Sequence, residues 1–272
     1  MIRLGLCLLL LISAQVSADA RDDFPSCYTV LDKPRQAQAS ARELIVIIDQ
    51  TVKLNVALKR HVHATVNGFL QPGDRFTLLT FSAYAQSHYA SMPLSGATDV
   101  PLDEDTRYHT SLTSLRKFDR CMARQGKMVR RSIDQAIKTA LDGADDSLPR
   151  TEVAASLAEF GDSVIAVSTA PRRVVLLVSD MLENSATASF YRNGELAELE
   201  VEAALTTTAS AGALSNWREA EIYIIGAAYS PDGVYRTRPV LDSLRQFWTA
   251  YLEKSNARLL GWGQPELLAQ IP

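Results

Sequence analysis

Two kinds of hydrophobic pattern alternate along this chain. Unbroken apolar runs occur at 44–48 (Leu-Ile-Val-Ile-Ile), 174–178 (Val-Val-Leu-Leu-Val) and 222–225 (Ile-Tyr-Ile-Ile). They are rich in β-branched residues and too short for helices, so they predict strands buried on both faces. Between them apolar residues recur at helical spacing: Leu54, Leu58, Val62, Val66 and Phe69; Val129, Ile133, Ala136, Ile137, Ala140 and Leu141; Val153, Leu157, Phe160 and Val164; Leu241, Leu244, Phe247, Trp248 and Tyr251. These stripes predict helices over 54–69, 127–141, 151–164 and 239–253, and 195–211 reads as a further helix. The turn Gln71-Pro72-Gly73-Asp74 separates the first helix from a strand at 75–82, because proline fixes φ and glycine supplies a positive one. An edge strand over 84–94, closed by Pro93, and a last strand at 258–262 complete the set.

Strands alternating with helices, without internal repeats, predict an α/β fold: a doubly wound, mostly parallel central sheet with helices on both faces. The organisation read from the chain is a leader at 1–20, a polar arm at 21–42 carrying Pro25 and Pro34, and one domain at 43–272. That domain has an insertion at about 95–126, a mixed polar stretch with Pro101 and the acidic patch Asp103-Glu104-Asp105.

Composition narrows the classes. With 272 residues, 47% hydrophobic and 22% charged, the chain has ordinary globular composition. A formal net charge of −3 without a Lys/Arg-rich block argues against a nucleic-acid partner and against an anionic membrane surface. Arg3, the apolar run 4–12 and the small residues Ser17, Ala18 and Ala20 form a secretory signal with cleavage after Ala18 or Ala20. The run has about half the length of a membrane span, and no later run reaches that length. Export to the periplasm or beyond is therefore expected. Cys7 leaves with the leader, and Cys27 and Cys121 remain as an even pair in an oxidising compartment, which predicts a disulfide; two separately buried thiols are the alternative.

The chemistry gathers where two strands end. The first runs into Asp49-Gln50-Thr51-Val52-Lys53 and another into Ser179-Asp180. Ligand sites of open parallel sheets lie at the carboxyl ends of the strands, so Asp49 and Asp180 are expected at one rim. Three stretches, Ile47-Ile48-Asp49-Gln50-Thr51, Leu70-Gln71-Pro72-Gly73-Asp74-Arg75 before a strand closing on Phe81, and Val175-Leu176-Leu177-Val178-Ser179-Asp180, make residues 43–262 resemble the von Willebrand factor type A family. That resemblance implies a metal-ion-dependent adhesion site. Asp49 and Thr51 match its first two ligands, Thr151 is the candidate third and Asp180 the last. Magnesium suits two carboxylates and two hydroxyls, being a hard cation that keeps several waters, and it would leave a coordination position for a partner's carboxylate. The departure is Lys53, which stands where the motif has a serine. Its ammonium would repel a dication, turn to solvent, or itself lie between Asp49 and Asp180 in place of the ion. A partly lost metal site on a retained scaffold is the expectation.

Plainer readings stand beside this one. Asp49 and Asp180 would accept hydrogen bonds from helix N-terminal amides, Thr151 would be a helix N-cap, and Glu183, three residues after Asp180, would join the site or, as the preferred reading, face water. A rival resemblance exists as well, since Asp-Gln-Thr-Val after a buried strand is similar to the nucleophile motif of haloacid-dehalogenase-like phosphohydrolases, with Asp49 as nucleophile and Asp180 as a magnesium ligand. Against it, Thr51 stands where most members have a second acid, and the helix begins too soon for their flap. The chain has no G-x-S-x-G elbow, no phosphate-binding G-x-x-x-x-G-K-[ST] loop and no G-x-G-x-x-G. His61 and His63 point apart on one helix and make no zinc pair. Trp217, Trp248 and Trp262 belong to the core or its rim. The expectation is a non-catalytic, exported domain that binds another protein through its strand-end face, shaped by the loops at 95–126 and 181–194.

Overall fold

The computed structural model describes residues 21–31, 40–82, 90–147, 151–185, 188–231, 233 and 236–272. The leader expected at 1–20, positions 32–39 of the arm and positions 84–89 of the expected edge strand lie outside the described residues. The strands are β1 (Arg42–Asp49), β2 (Arg75–Phe81), β3 (Ala90–Ala97), β4 (Arg172–Val178), a small hairpin of β5 (Tyr191–Arg192) and β6 (Glu195–Leu196), then β7 (Ala220–Ile225) and β8 (Ala257–Gly263). The helices are α1 (Val56–Phe69), α2 (Glu104–Tyr108), α3 (Leu112–Asp142), α4 (Val153–Phe160), α5 (Val201–Ser210) and α6 (Arg238–Lys254).

Six strands form one sheet in the order β3-β2-β1-β4-β7-β8. Every pairing is parallel except that of β3 with β2. β1 and β4 are neighbours at its centre, which is why both are apolar on both faces. Alternate residues of β1 feed two cores. Ile45 and Ile47 pack with Leu157, Phe160, Phe247 and Trp248 from α4 and α6. Leu44, Val46 and Ile48 pack with Leu58, Val62, Ile133 and Ile137 from α1 and α3. The expected doubly wound architecture is the observed one, and no described helix is long and apolar enough to cross a membrane.

Local chemistry sets the element ends. Asn55 caps α1 by accepting from the Leu58 amide at 2.9 Å. The helix closes into the 71–74 turn, where Gly73 has φ +89° and the buried Asp74 pairs with Arg42 at 2.6 Å. His61 and His63 are structural: His61 Nε2 accepts from the Leu267 amide, and His63 bonds Asp134. Trp217 and Trp248 are fully buried and Trp262 sits at the rim.

Four expectations change. Pro93 does not end β3; it lies inside the strand, where Leu78 pairs with Leu94 and Thr80 with Ser91. Met92 and Pro93 therefore oppose Leu79 alone, a bulge on an edge strand where the missing amide costs no ladder bond. The 95–126 insertion is mostly helical, holding the end of β3, α2 and the first half of α3. α3 begins at Leu112, not 127. Its early turns pack through Phe118 against Cys27, Tyr28 and Leu102, with the Cys27–Cys121 disulfide closed beside them. This region lies at the amino ends of the strands, since Arg75 of β2 pairs with Ala97 of β3, so it does not shape the strand-end face. Finally, 195–200 is not helical: Asn193 and Gly194, with φ +55° and +82°, turn β5 into β6, as Asn-Gly does in two-residue hairpins.

Candidate functional site at the carboxyl ends of β1 and β4

Asp49 is the last residue of β1 and is 2% exposed. Both its oxygens are engaged by residues that directly follow β1 and β4. Oδ1 accepts from the Thr51 amide at 2.9 Å and the Thr51 hydroxyl at 2.6 Å. Oδ2 accepts from the Ser179 hydroxyl at 2.7 Å. The carboxylate thus folds the 50–52 turn back on itself, the usual behaviour of an aspartate two residues before a turn amide. Asp49 bonds no amide of α1, whose N-terminus Asn55 caps instead.

Thr151 comes to the same place from a distant part of the chain. Its backbone pairs with Asn184, by bonds of 3.2 and 3.0 Å, and its hydroxyl lies 3.0 Å from that of Thr51. It is not the N-cap of α4; Glu152 holds that position and makes no side-chain capping bond. Glu183 does the capping from outside the helix, its Oε2 accepting from the Ala154 amide at 2.8 Å. It is 1% exposed and does not face water. The sequence places it three residues beyond a strand end, but the amino end of α4 folds over it.

Asp180 follows Ser179 at the end of β4, and its Oδ1 accepts from the Leu182 amide at 3.0 Å. Burial raises its carboxyl well above the usual range, and the neighbouring Asp49 charge raises it further. Asp49 is likewise raised by burial, against the pull of its bonds from Thr51 and Ser179. The Arg236 guanidinium opposes the rise at Asp180 in part; its Nε donates to the Ala228 carbonyl at 3.3 Å. Lys53 does not stand between the carboxylates. Its ammonium bonds Asp146 at 2.7 Å, with its side chain 55% exposed.

The four expected residues therefore share one rim, with Asp49, Thr51 and Thr151 joined by hydrogen bonds and Asp180 on the adjacent strand end, within reach of the Asp49 charge. Beside them opens a concavity of about 630 Å³ that includes Thr51, Thr151, Asp180, Tyr191, Tyr229 and Arg236. Sequence reasoning assigned Glu183 to water and missed Ser179, Arg236 and the two tyrosines. Ser179 had a signal, a hydroxyl directly before the second aspartate. The others enter from loops whose course only the fold reveals.

No protein-family model matches the sequence, and comparison with curated proteins gives no match. Among solved structures, the chain is similar to the pilus adhesin SpaC from Lactobacillus rhamnosus GG in an open conformation, with 12% identity and a TM-score of 0.43. That match covers 85% of this chain and 29% of the adhesin, so the chain spans less than a third of that protein's length. It is also similar to an aerotolerance-related membrane protein from Bacteroides fragilis NCTC 9343, with 13% identity and a TM-score of 0.34, over 82% of this chain and 92% of the other. The fold assignment rests on the strand order and on the helices covering both faces of the sheet.

Proposed function

We propose that this chain is an exported von Willebrand A-like domain that binds another protein through the strand-end face around Asp49 and Asp180. The observation that carries the reading is the meeting, on one open rim, of two carboxylates and two threonine hydroxyls from three separate segments. Two carboxylates raised by burial, Asp180 further by the Asp49 charge, cost stability, and such groups gather at functional sites.

The donor set fits a hard divalent cation. Asp49, Thr51, Thr151 and Asp180 would hold it, and no ammonium fills the space because Lys53 is drawn off to Asp146. Bound magnesium would supply a coordination position for a carboxylate of the partner. Lys53 contributes no oxygen, however, and Thr51 and Ser179 already engage both oxygens of Asp49, which is why we read the site as a weakened form of the family's. Partner contact then falls to the surrounding rim of Tyr191, Tyr229 and Arg236.

Two measurements test this. In calorimetric titration of magnesium and manganese into chelator-stripped protein, Lys53→Ser should bind more tightly than the wild type, and Asp180→Asn should not bind. In cross-linking capture from a periplasmic extract, Asp49→Ala combined with Asp180→Ala should lose the partner that the wild type retains. Unchanged capture would place recognition elsewhere. Magnesium-dependent turnover of p-nitrophenyl phosphate, abolished in Asp49→Asn, would replace this reading with the phosphohydrolase one.

A further inference from the structure

The first half of α3 is an electropositive ridge. Residues 112–131 hold seven of the chain's 28 Lys and Arg and one of its 31 Asp and Glu. In the sequence these cations are interleaved with Phe118, Met122, Ala123 and Val129 and form no block, but the helix sorts them. Arg116, Arg120, Arg124, Lys127 and Arg131 follow one another at intervals of three or four, which places them in a single row. All five are exposed, whereas Phe118, Gln125 and Val129 on the other side are buried. At 1.5 Å per residue the row runs for about 22 Å.

Among the described residues none of the five meets a carboxylate. Asp119, the acidic residue of this stretch, is taken by Arg107 at 2.9 Å, and Asp142, further along, by Lys59 and Lys138. Arg120 Nε reaches only the Arg116 carbonyl, at 3.4 Å. Arg130, off the row, is turned inward to the carbonyls of Asn67 and Leu70. A chain of net charge −3 has thus concentrated positive charge along one exposed helix face. At the start of this ridge stand two exposed apolar side chains, Tyr108 at 86% and Leu112 at 73%.

We propose that this ridge is a docking surface for an anionic phospholipid bilayer. An exposed row of five cations about 22 Å long matches a sheet of phosphate headgroups, and an aromatic and a leucine at its end suit the interfacial layer. The chain lies on the surface and does not span it. The underside of the ridge is fixed to the domain by the Cys27–Cys121 disulfide and by Asp99, which accepts from Ser26, the Cys27 amide and Gln125. The ridge stands toward the amino ends of the strands, apart from the Asp49 and Asp180 rim. This inference uses a different face from the proposed partner site and does not depend on it.

The test is co-sedimentation of the full chain with vesicles. The expected result is binding to phosphatidylglycerol-rich vesicles, none to pure phosphatidylcholine, and release as salt shortens the screening length. Replacing Arg120, Arg124 and Lys127 together by Gln should weaken binding about 100-fold, since each cation near an anionic surface contributes roughly a factor of five. Replacing Arg192, Arg245 and Lys254 by Glu changes net charge on other surfaces of the domain and should leave most of the binding. Because all six positions are exposed, thermal midpoints near that of the wild type verify folding. Equal sedimentation with neutral and anionic vesicles, no sedimentation with either, or an unaffected Gln triple variant would each overturn the proposal. Preferential binding of soluble poly-glutamate over the vesicles would also overturn it, in favour of an acidic polypeptide partner.

Discussion

Glu183 offers the sharpest energetic test of how the strand-end face is held. Its carboxyl is buried beneath the first turn of α4, where it accepts from the Ala154 amide. Burial is the larger effect and outweighs that bond, raising the group from 4.5 to about 7. In the unfolded chain the group ionises near its ordinary value. Between the two values the native state keeps a proton that the unfolded chain has released, so stability falls as pH rises through this window and levels off above it. The difference corresponds to roughly 3 kcal/mol. Glu183→Gln keeps an oxygen for the Ala154 amide and has no charge to bury. Urea denaturation of the two proteins at fixed ionic strength should show nearly equal stability at pH 4.5, with the variant ahead by roughly 3 kcal/mol at pH 8. The Asp49 and Asp180 pair tilts the absolute curves in the same direction, but it is common to both proteins and cancels in the difference. A gap between variant and wild type that is the same at pH 4.5 and pH 8 would refute the reasoning, because a merely geometric capping role does not vary with pH.

Two further perturbations probe the frame around the site. Replacing Cys27 and Cys121 by Ser opens a closed loop with a sequence separation of 94 and should cost about 4 kcal/mol in the chain-entropy account, read as a lower urea midpoint that added reductant does not lower further. Gly226, just after β7, has φ +100°, and a side chain there would lie 3.0 Å from the Ser179 carbonyl. Gly226→Ala should therefore cost about 1–3 kcal/mol, and because Ser179 holds Asp49 it should also disturb the rim, visible as altered chemical shifts at Thr51.

The parts of the fold that were legible in the sequence are those where one pattern dominates. Central strands such as β1 and β4 must be apolar on both faces, and α1 and α6 carry a wide stripe toward one core, so their type was readable from spacing alone. The errors fall where another rule prevailed. Pro93 reads as a strand end, but on an edge strand it is tolerated at a bulge. The start of α3 carries a thin apolar face, Phe118 and Met122 among many cations, because it packs on an arm and a disulfide and not on the sheet. Its helical period is weak in apolar residues and strong in charged ones, and a search for hydrophobic recurrence passes over it. Asn193-Gly194 is a hairpin signal whose flanking strands are only two residues each, too short to alternate.

The site divides along the same line. Asp49 and Asp180 were placeable together because each directly follows a central strand, and two adjacent parallel strands have no choice but to end on one rim. Thr151 needed the resemblance, since nothing in the spacing of residues 151 and 49 says that they meet. Glu183 and Lys53 were misjudged or left open because their fate depends on what comes over them from elsewhere: α4 descends over the first, and Asp146 captures the second. Polar residues just past a strand end are thus ambiguous in principle. Whether such a residue is a solvated side chain, a cap or a ligand is decided by the element that the next crossover brings back. In this chain that element is the 151–154 segment, which brings the Thr151 hydroxyl to Thr51 and the Ala154 amide to Glu183, so one short stretch serves both the rim and its buried support.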